Sequence, residues 1–413
     1  MSDMEEEPVL PGGVNTTPPK YEGANILAPM VRVSTLPFRL LALDYGADLV
    51  YVEELIDKKL MKCRRVVNEG DQTIDFLEGP ALNSSAFAGK QTVNKAVFRT
   101  SSEERQRVVL QLGTAEGGNA VKAAEVVCRD VQAIDINMGC PKHFSIQGGM
   151  GAKLLEDPER ARDIVATVGR NLRGLPVTAK MRRLATDEKT VDFARQLERA
   201  GVAAVAVHAR FVHERPRDPA SWDAVRPVVE ALSVPVIANG DVCSHDDFQK
   251  YREATGCAGV MAARGAQWNC SIFRSEGLEG TDVVRHKFMQ RAAQVRNNFQ
   301  NSKFILKEML VAEKKGSSPE WQMVNKCKSG EDLAALYSSP CAFSRRAASH
   351  TPSAEASMVH RHPSQGRDPE VAIAHAARHH PANGAKRNRE QATTYGLPQC
   401  PDGSAKRTAF AST

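Results

Sequence analysis

Residues 177–210 read VTAKMRRLATDEKTVDFARQLERAGVAAVAVHAR, and this stretch decides the fold. An apolar run that ends in charge, Val177–Arg182, leads into an amphipathic stretch of helical length, Glu188–Ala200. A second apolar run, Ala203–His208, follows it. Two short strands flanking one helix read as a parallel crossover unit. Working outward in both directions, the alternation continues. Upstream lie Ala24–Met30, Ala47–Glu53, Val108–Gln111 and Ala133–Asn137; downstream lie Val234–Asn239 and Gly259–Arg264. Helix-length stretches fall between them at Leu36–Asp44, Gly118–Arg129, Pro158–Leu172, Trp222–Leu232 and His245–Ala254. Eight strands alternating with helices over about 250 residues are the size of a closed (β/α)8 TIM barrel.

The rest of the 413 residues arranges itself around that block. Residues 1–22 form a Pro/Gly-rich acidic leader, and the barrel covers 23–275. Residues 55–106 break its rhythm, with a charged helix-like piece at Leu55–Val66, two short strands at Thr73–Phe76 and Ala96–Thr100, and a small-residue loop at Gly79–Asn94. Residues 276–338 carry helical stretches at Asp282–Asn298, Lys303–Lys314, Glu320–Lys326 and Glu331–Tyr337 and read as a small α-helical domain. Residues 339–413 are rich in Ser, Pro, Ala and His, lack apolar periodicity, and read as a disordered tail. Most of the net charge of +6 sits in that tail, so the body is close to neutral and any contact with nucleic acid must come from local patches. No apolar run reaches the roughly 18–20 residues of a membrane span. The acidic start is unlike a signal or transit peptide. The nine cysteines are scattered without a CxxC, which argues against a disulfide framework or a structural zinc and suits a reducing cytoplasm.

In such a barrel the site lies at the C-terminal ends of the strands. Here those ends carry Met30, Glu53, Gln111, Asn137, Lys180 with Arg182, His208 with Arg210, Asn239 and Arg264. Polar or sulfur-bearing residues at one rim on all eight strands point to a catalytic or cofactor site. After the last two strands, Asn239-Gly240-Asp241 and Ala263-Arg264-Gly265 have the glycines that let a backbone approach a phosphate. No GxGxxG joins a strand to a helix, which disfavours a dinucleotide fold and favours flavin mononucleotide (FMN), with its single phosphate. Past the fourth strand, Asn137-Met-Gly-Cys140-Pro141-Lys142 runs into Gly148-Gly-Met-Gly151. Gly139 and Pro141 fix the backbone around Cys140, and Lys142 adds charge. A thiol placed there is a nucleophile when ionised or an acid when protonated.

These segments resemble the dihydrouridine synthases, flavin enzymes that reduce uridine in transfer RNA. The resemblance is carried by Ala28-Pro29-Met30, Leu110-Gln111-Leu-Gly113, Asp135-Ile-Asn137-Met-Gly-Cys140-Pro141-Lys142, Val177-Thr-Ala-Lys180-Met-Arg182, Val207-His208-Ala-Arg210 and Ile237-Ala-Asn239-Gly240-Asp241. It runs from about residue 24 to 310. Leu40–Gly46 and Glu53–Asp57 are similar to the eukaryotic branch that modifies position 20 of the D loop. The resemblance implies an FMN barrel followed by a helical tRNA-binding domain, with NADPH as electron donor, in a monomeric cytoplasmic protein. It implies that Pro29-Met30-Val31 back the flavin ring and that Gln111 and Lys180 hydrogen-bond its edge. His208 would lie beside the phosphate, and Asn239-Gly240-Asp241 with Ala263-Arg264 would hold the phosphate end. Cys140 would be the proton donor, with Asn137, Lys142, Arg182 and Arg210 toward the substrate. No metal is implied. The chain departs from the family in the length of Gly79–Asn94, in Arg183 for an apolar residue, in Asn269-Cys270 for Asn-Pro, and in the absence from 339–413 of a double-stranded-RNA-binding pattern.

Two rival readings are an FMN barrel acting on a free small molecule, in the manner of dihydroorotate dehydrogenase, and a non-catalytic RNA-binding protein. For RNA contact, Arg285, Arg291 and Arg296 fall near one side of the first helix after the barrel, and Lys303 and Lys307 extend the stripe.

Overall fold

The structure, a computed structural model, describes residues 18–79, 96–313 and 318–338. Twelve strands occur among them: β1 (Asn25–Leu27), β2 (Leu49–Tyr51), β3 (Leu55–Ile56), β4 (Cys63–Asn68), β5 (Thr73–Glu78), β6 (Ala96–Ser101), β7 (Val108–Gly113), β8 (Ala133–Met138), β9 (Val177–Arg183), β10 (Ala204–Phe211), β11 (Val236–Asn239) and β12 (Gly259–Ala262). Each of the eight apolar runs became a barrel strand. The parallel order β1-β2-β7-β8-β9-β10-β11-β12 closes on itself, because β1 pairs with β12 (Ile26 opposite Met261) and β2 pairs with β7 (Val50 opposite Val108). Closure leaves no free edge on the barrel. β3 is a two-residue extension along the far end of β7.

Helices cover the outside: α1 (Leu36–Asp44), α2 (Asp57–Leu60), α3 (Gly117–Val127), α4 (His143–Gln147), α5 (Pro158–Asn171), α6 (Asp187–Arg199), α7 (Arg226–Ala231), α8 (His245–Thr255) and α9 (Arg264–Trp268). Their starts are written locally. Asp157 and Thr186 accept the N–H groups of Arg160 and Lys189 in the first turns of α5 and α6, and Ser244 with Asp247 forms a capping box on α8. Inside the barrel, Ile26, Val109, Ala133, Ala204, Ala206, Ile237 and Met261 fill the space together with Tyr21 and Tyr51.

The excursion differs from the sequence reading. Leu55–Val66 is not a helix. It is β3, the single turn α2, and then β4, which pairs antiparallel with β5; β5 pairs in turn with β6. The charges that suggested a helix are split between α2 (Asp57, Lys58, Lys59) and β4 (Arg64 opposite Leu77, Arg65 opposite Phe76), and a short window confuses such a charged turn and strand with one polar helix. Residues 80–94 of the expected loop, the leader up to 17 and the tail from 339 lie outside the described residues.

After the barrel come α10 (Thr281–Gln294), α11 (Phe299–Met309), α12 (Pro319–Lys326) and α13 (Gly330–Leu336). Phe288 on α10 packs on Phe38 of α1, with ring centroids 6.3 Å apart. Asn301 on α11 donates to the Arg32 carbonyl and accepts from Thr35, so the helices abut the loop after β1.

Candidate active site

The strand ends converge on a cleft of about 400 Å³ at the C-terminal mouth. Pro29, Met30, Val31, Gln111, Asn137, Cys140, Lys142, Lys180, Arg182, His208, Arg210, Ala263 and Arg264 all line it. Asn239, Gly240 and Asp241 do not. The Asn239 amide donates to the Met261 carbonyl at 3.0 Å and ties β11 to β12. Gly240 has φ +132°, and a side chain there would strike Ala220. Asp241 turns away from the cleft to grip Arg210 with both oxygens at 2.5 Å and Arg264 at 2.8 Å. Its carboxylate thus fixes two of the lining guanidiniums.

Among the described residues, six cationic side chains line the cleft against a single carboxylate, Glu54. The buried Nδ1 of His208 has no hydrogen-bond partner among the described residues. Burial, with the charges of Lys180, Arg182, Arg210 and Arg264, pushes His208 well below the usual imidazole range, so it is neutral. Lys180 is pushed down to about 8 by burial and then by Arg182, against the opposing pull of Asp135. A cleft with this excess of positive charge and an unsatisfied imidazole is built for an anion.

A second network lies beneath. Asp135, fully buried in the barrel, accepts from Gln111 (2.8 Å) and Thr178 (2.7 Å), and burial raises its carboxyl to about 6. Gln111 accepts from Asn137 at 3.2 Å, and Asn137 Oδ1 receives the N–H groups of Gly139 and Cys140, each at 3.0 Å. The cysteine loop is therefore held by side chains that also line the cleft floor. The Cys140 thiol is raised by burial first and then by the Glu54 charge, and it remains protonated at neutral pH.

Sequence reasoning missed Glu54, Arg215 and Pro216, all of which line the cleft. It named Glu53 as the strand-end residue. Glu53 instead bends back to the Arg32 N–H, and Glu54 enters the cleft. Adjacent acids at a strand end were the available signal; which one is buried was not. Of the departures, Arg183 stacks on Phe211 (4.2 Å to the ring) and pairs with Asp187, and Asn269 accepts from both the N–H and the hydroxyl of Ser271.

The expected RNA stripe is corrected by the same geometry. Arg285 is buried in a two-pronged pair with Glu320, Arg291 is held by Asp44 and Glu103, and Arg296 by Asp71. Lys303 donates to the Asn325 and Cys327 carbonyls, and Lys307 to Asn325. These cations brace the helices to each other, the barrel and the β4–β6 sheet.

With this geometry in view, residues 26–328 match the family model described as dihydrouridine synthase (Dus). The chain belongs to the dihydrouridine synthase family. It is similar to the tRNA-dihydrouridine(20) synthase [NAD(P)+] of Schizosaccharomyces pombe, 38% identical over 70% of this chain and 60% of that protein. It is also similar to the protein of the same name from Saccharomyces cerevisiae, 34% identical over 76% of this chain and 83% of that one. The human tRNA-dihydrouridine(20a/20b) synthase [NAD(P)+]-like protein is 31% identical over 62% of this chain and 72% of its own length. The match therefore spans less than two thirds of the fission-yeast relative. Among the described residues no helix is long and apolar enough to cross a membrane. No group of three His, Cys, Asp or Glu among them could hold a metal.

Proposed function

We propose that this dihydrouridine synthase reduces a uridine of tRNA, at the position 20 named for its two yeast relatives, to 5,6-dihydrouridine. FMN fits the cleft: the surplus of cations and the orphaned His208 nitrogen suit its phosphate, and the Gln111–Lys180 floor suits a polar ring edge. Pro29, Met30 and Val31 would back the ring, and His208, Arg264 and the Asp241-held Arg210 would take the phosphate. FMN, replenished from NADPH, would supply the hydride.

The chain's own residues supply the rest. Addition of hydride at C6 of uracil leaves negative charge on C5 and O4, and an acid must protonate C5. The Cys140 thiol, raised and protonated, lines the same cleft and has that proton to give. Lys142, Arg182 and Arg215 place positive charge around the bound nucleotide. Because the cleft lies at the barrel mouth, the base must leave its stack, which favours a loop nucleotide. The helices of 276–338, which touch the mouth through Asn301, are proposed to border the rest of the tRNA. The observation that carries the reading is the protonated Cys140 on the wall of an anion-seeking cleft in this family.

The test is incubation of the purified yellow protein with NADPH and unmodified tRNA, reading the gain of two hydrogens at a single uridine by mass spectrometry. Cys140→Ala should lose about 10²–10⁴-fold in uridine reduction while retaining its flavin. Full turnover by the variant would remove Cys140 from the chemistry, and a colourless protein that takes up no FMN would end the reading.

A further inference from the structure

One lining group has no part in the scheme above. Among the described residues Glu54 is the only carboxylate in the cleft wall, and it is nine-tenths buried. Burying a carboxylate without compensation costs several kcal/mol, so its partners are informative. Oε1 accepts from the Ser145 hydroxyl at 3.2 Å, and the carboxylate and the Cys140 thiol are near enough for each to act on the other's charge. Oε2 is buried and has no hydrogen-bond partner among the described residues. Among the described residues no lysine or arginine forms an ion pair with it, although six cations line the same cleft.

The surrounding backbone is shaped to keep this arrangement. Gly113, at the end of β7, leaves room for the carboxylate: a Cβ there would lie 2.7 Å from Oε1. Gly151, with φ +60°, does the same on the other side, since a Cβ would fall 2.4 Å from Ser145 Oγ and 3.1 Å from Cys140 Cβ. The Cys140 carbonyl is held by the Ala152 N–H at 3.0 Å. Glutamate, serine and cysteine are thus pressed into one knot between two glycines.

We propose that Glu54 is a positioning residue for the proton donor: it takes the thiol's hydrogen bond and keeps the proton on the Cys140 sulfur until a substrate carbanion claims it. This inference rests on the proposed role of Cys140 and deepens it. A negative carboxylate beside the sulfur disfavours a second negative charge there. Lys142, Lys180 and Arg182 also act on the sulfur, and their charge pulls toward thiolate. Without Glu54, burial alone would oppose them. The thiolate they would create cannot donate a proton and is instead a nucleophile beside an electron-poor alkene. After the S–H proton passes to C5, thiolate and carboxylate would stand side by side, and relief of that repulsion draws one proton from solvent back to the pair.

The test reads the thiol directly and uses no tRNA. The purified full-length protein is alkylated with iodoacetamide across pH, and labelling of the Cys140 peptide is followed by mass spectrometry. Glu54→Gln should move the alkylation midpoint down by about one pH unit and speed labelling near neutrality roughly tenfold. Glu54→Asp, which keeps the charge, should restore much of the wild-type profile. Ser145→Ala, which leaves the carboxylate more dependent on the thiol, should move the midpoint up. An unchanged midpoint in Glu54→Gln, even with activity lost, would show a merely structural carboxylate and overturn the proposal; should Glu54→Gln fail to fold, an unmoved Ser145→Ala midpoint would do so. If the wild type proves unable to reduce tRNA uridine, the proposed function fails while the midpoint shift still reports the Glu54–Cys140 coupling.

Discussion

Two sets of cations in this molecule look alike in sequence and behave oppositely in the fold. At the barrel mouth, Lys180, Arg182, Arg210 and Arg264 converge on a cleft with one carboxylate in its wall. On the helical side, Arg285, Arg291 and Arg296 each end on acids of another element: Glu320, Asp44 with Glu103, and Asp71. Asp241 shows the distinction most clearly, because it orients Arg210 and Arg264 from behind and leaves their cluster with net positive charge. Helical spacing alone placed the second set in a stripe, but a stripe is a binding surface only when its charges lack internal partners. Charge that is over-supplied binds ligands, whereas charge that is balanced holds elements together.

The largest effect expected from this contrast is on stability. Arg285 and Glu320 are both buried, and Tyr337 donates to the same carboxylate at 2.7 Å. Arg285→Met strands the Glu320 charge, which should cost about 3–5 kcal/mol and lower Tm by roughly 10 °C. A melting curve equal to wild type would show that the pair is not a brace.

Arg264→Ala should act on ligand instead of fold. Losing one charge-assisted contact should weaken FMN binding about 10–100-fold, with Tm of the flavin-free protein nearly unchanged. Its pH dependence has a definite sign. Lys180 is charged below about 8, so FMN affinity should fall, by up to about tenfold, between pH 7 and 9. The same shift acts oppositely on stability. Because the folded-state value lies below the unfolded 10.5, the penalty for burying this lysine is fully present below about 8 and is relieved as pH rises toward 10.5. Flavin titrations at the two pH values decide the first claim, and denaturant curves the second.

The barrel was legible because each of its strands is a short apolar run, closed by a polar residue and followed by a helix with a written start, so local pattern and global fold agree. The cysteine loop was legible for the same reason: Gly139 and Pro141 mark its backbone. Glu54 was not. Glu53 and Glu54 are chemically identical neighbours, and only the packing of Gly113 and Ser145 around one of them decides which enters the cleft. The β4–β5 pairing was hidden because six charged residues in the dozen from Leu55 to Val66 read as one polar helix, although they are divided between a turn and a strand. The partners of the helical arginines were hidden because Asp44, Asp71 and Glu103 lie far away in the chain, and a spacing argument sees only one helix at a time.

The smallest expected effect is also the sharpest test of the contrast. A cation that contacts RNA phosphates contributes about −0.7 to −0.9 to the slope of log affinity against log salt, and one that is internally paired contributes nothing. Lys142 and Arg215 are exposed at the cleft rim, next to the cysteine loop and the loop after β10. Substituting either with alanine should flatten the tRNA-binding slope by close to one contact and weaken binding severalfold at low salt. Arg291→Ala and Arg296→Ala should leave the slope where it was, because the charge removed was already answered by Asp44, Glu103 or Asp71. If they do change affinity, the change should be independent of salt, since it would come from loosened helices and not from a lost phosphate contact. A slope reduced by the helical-side variants and not by the rim variants would reverse the assignment and make the α10 stripe the RNA-binding surface after all.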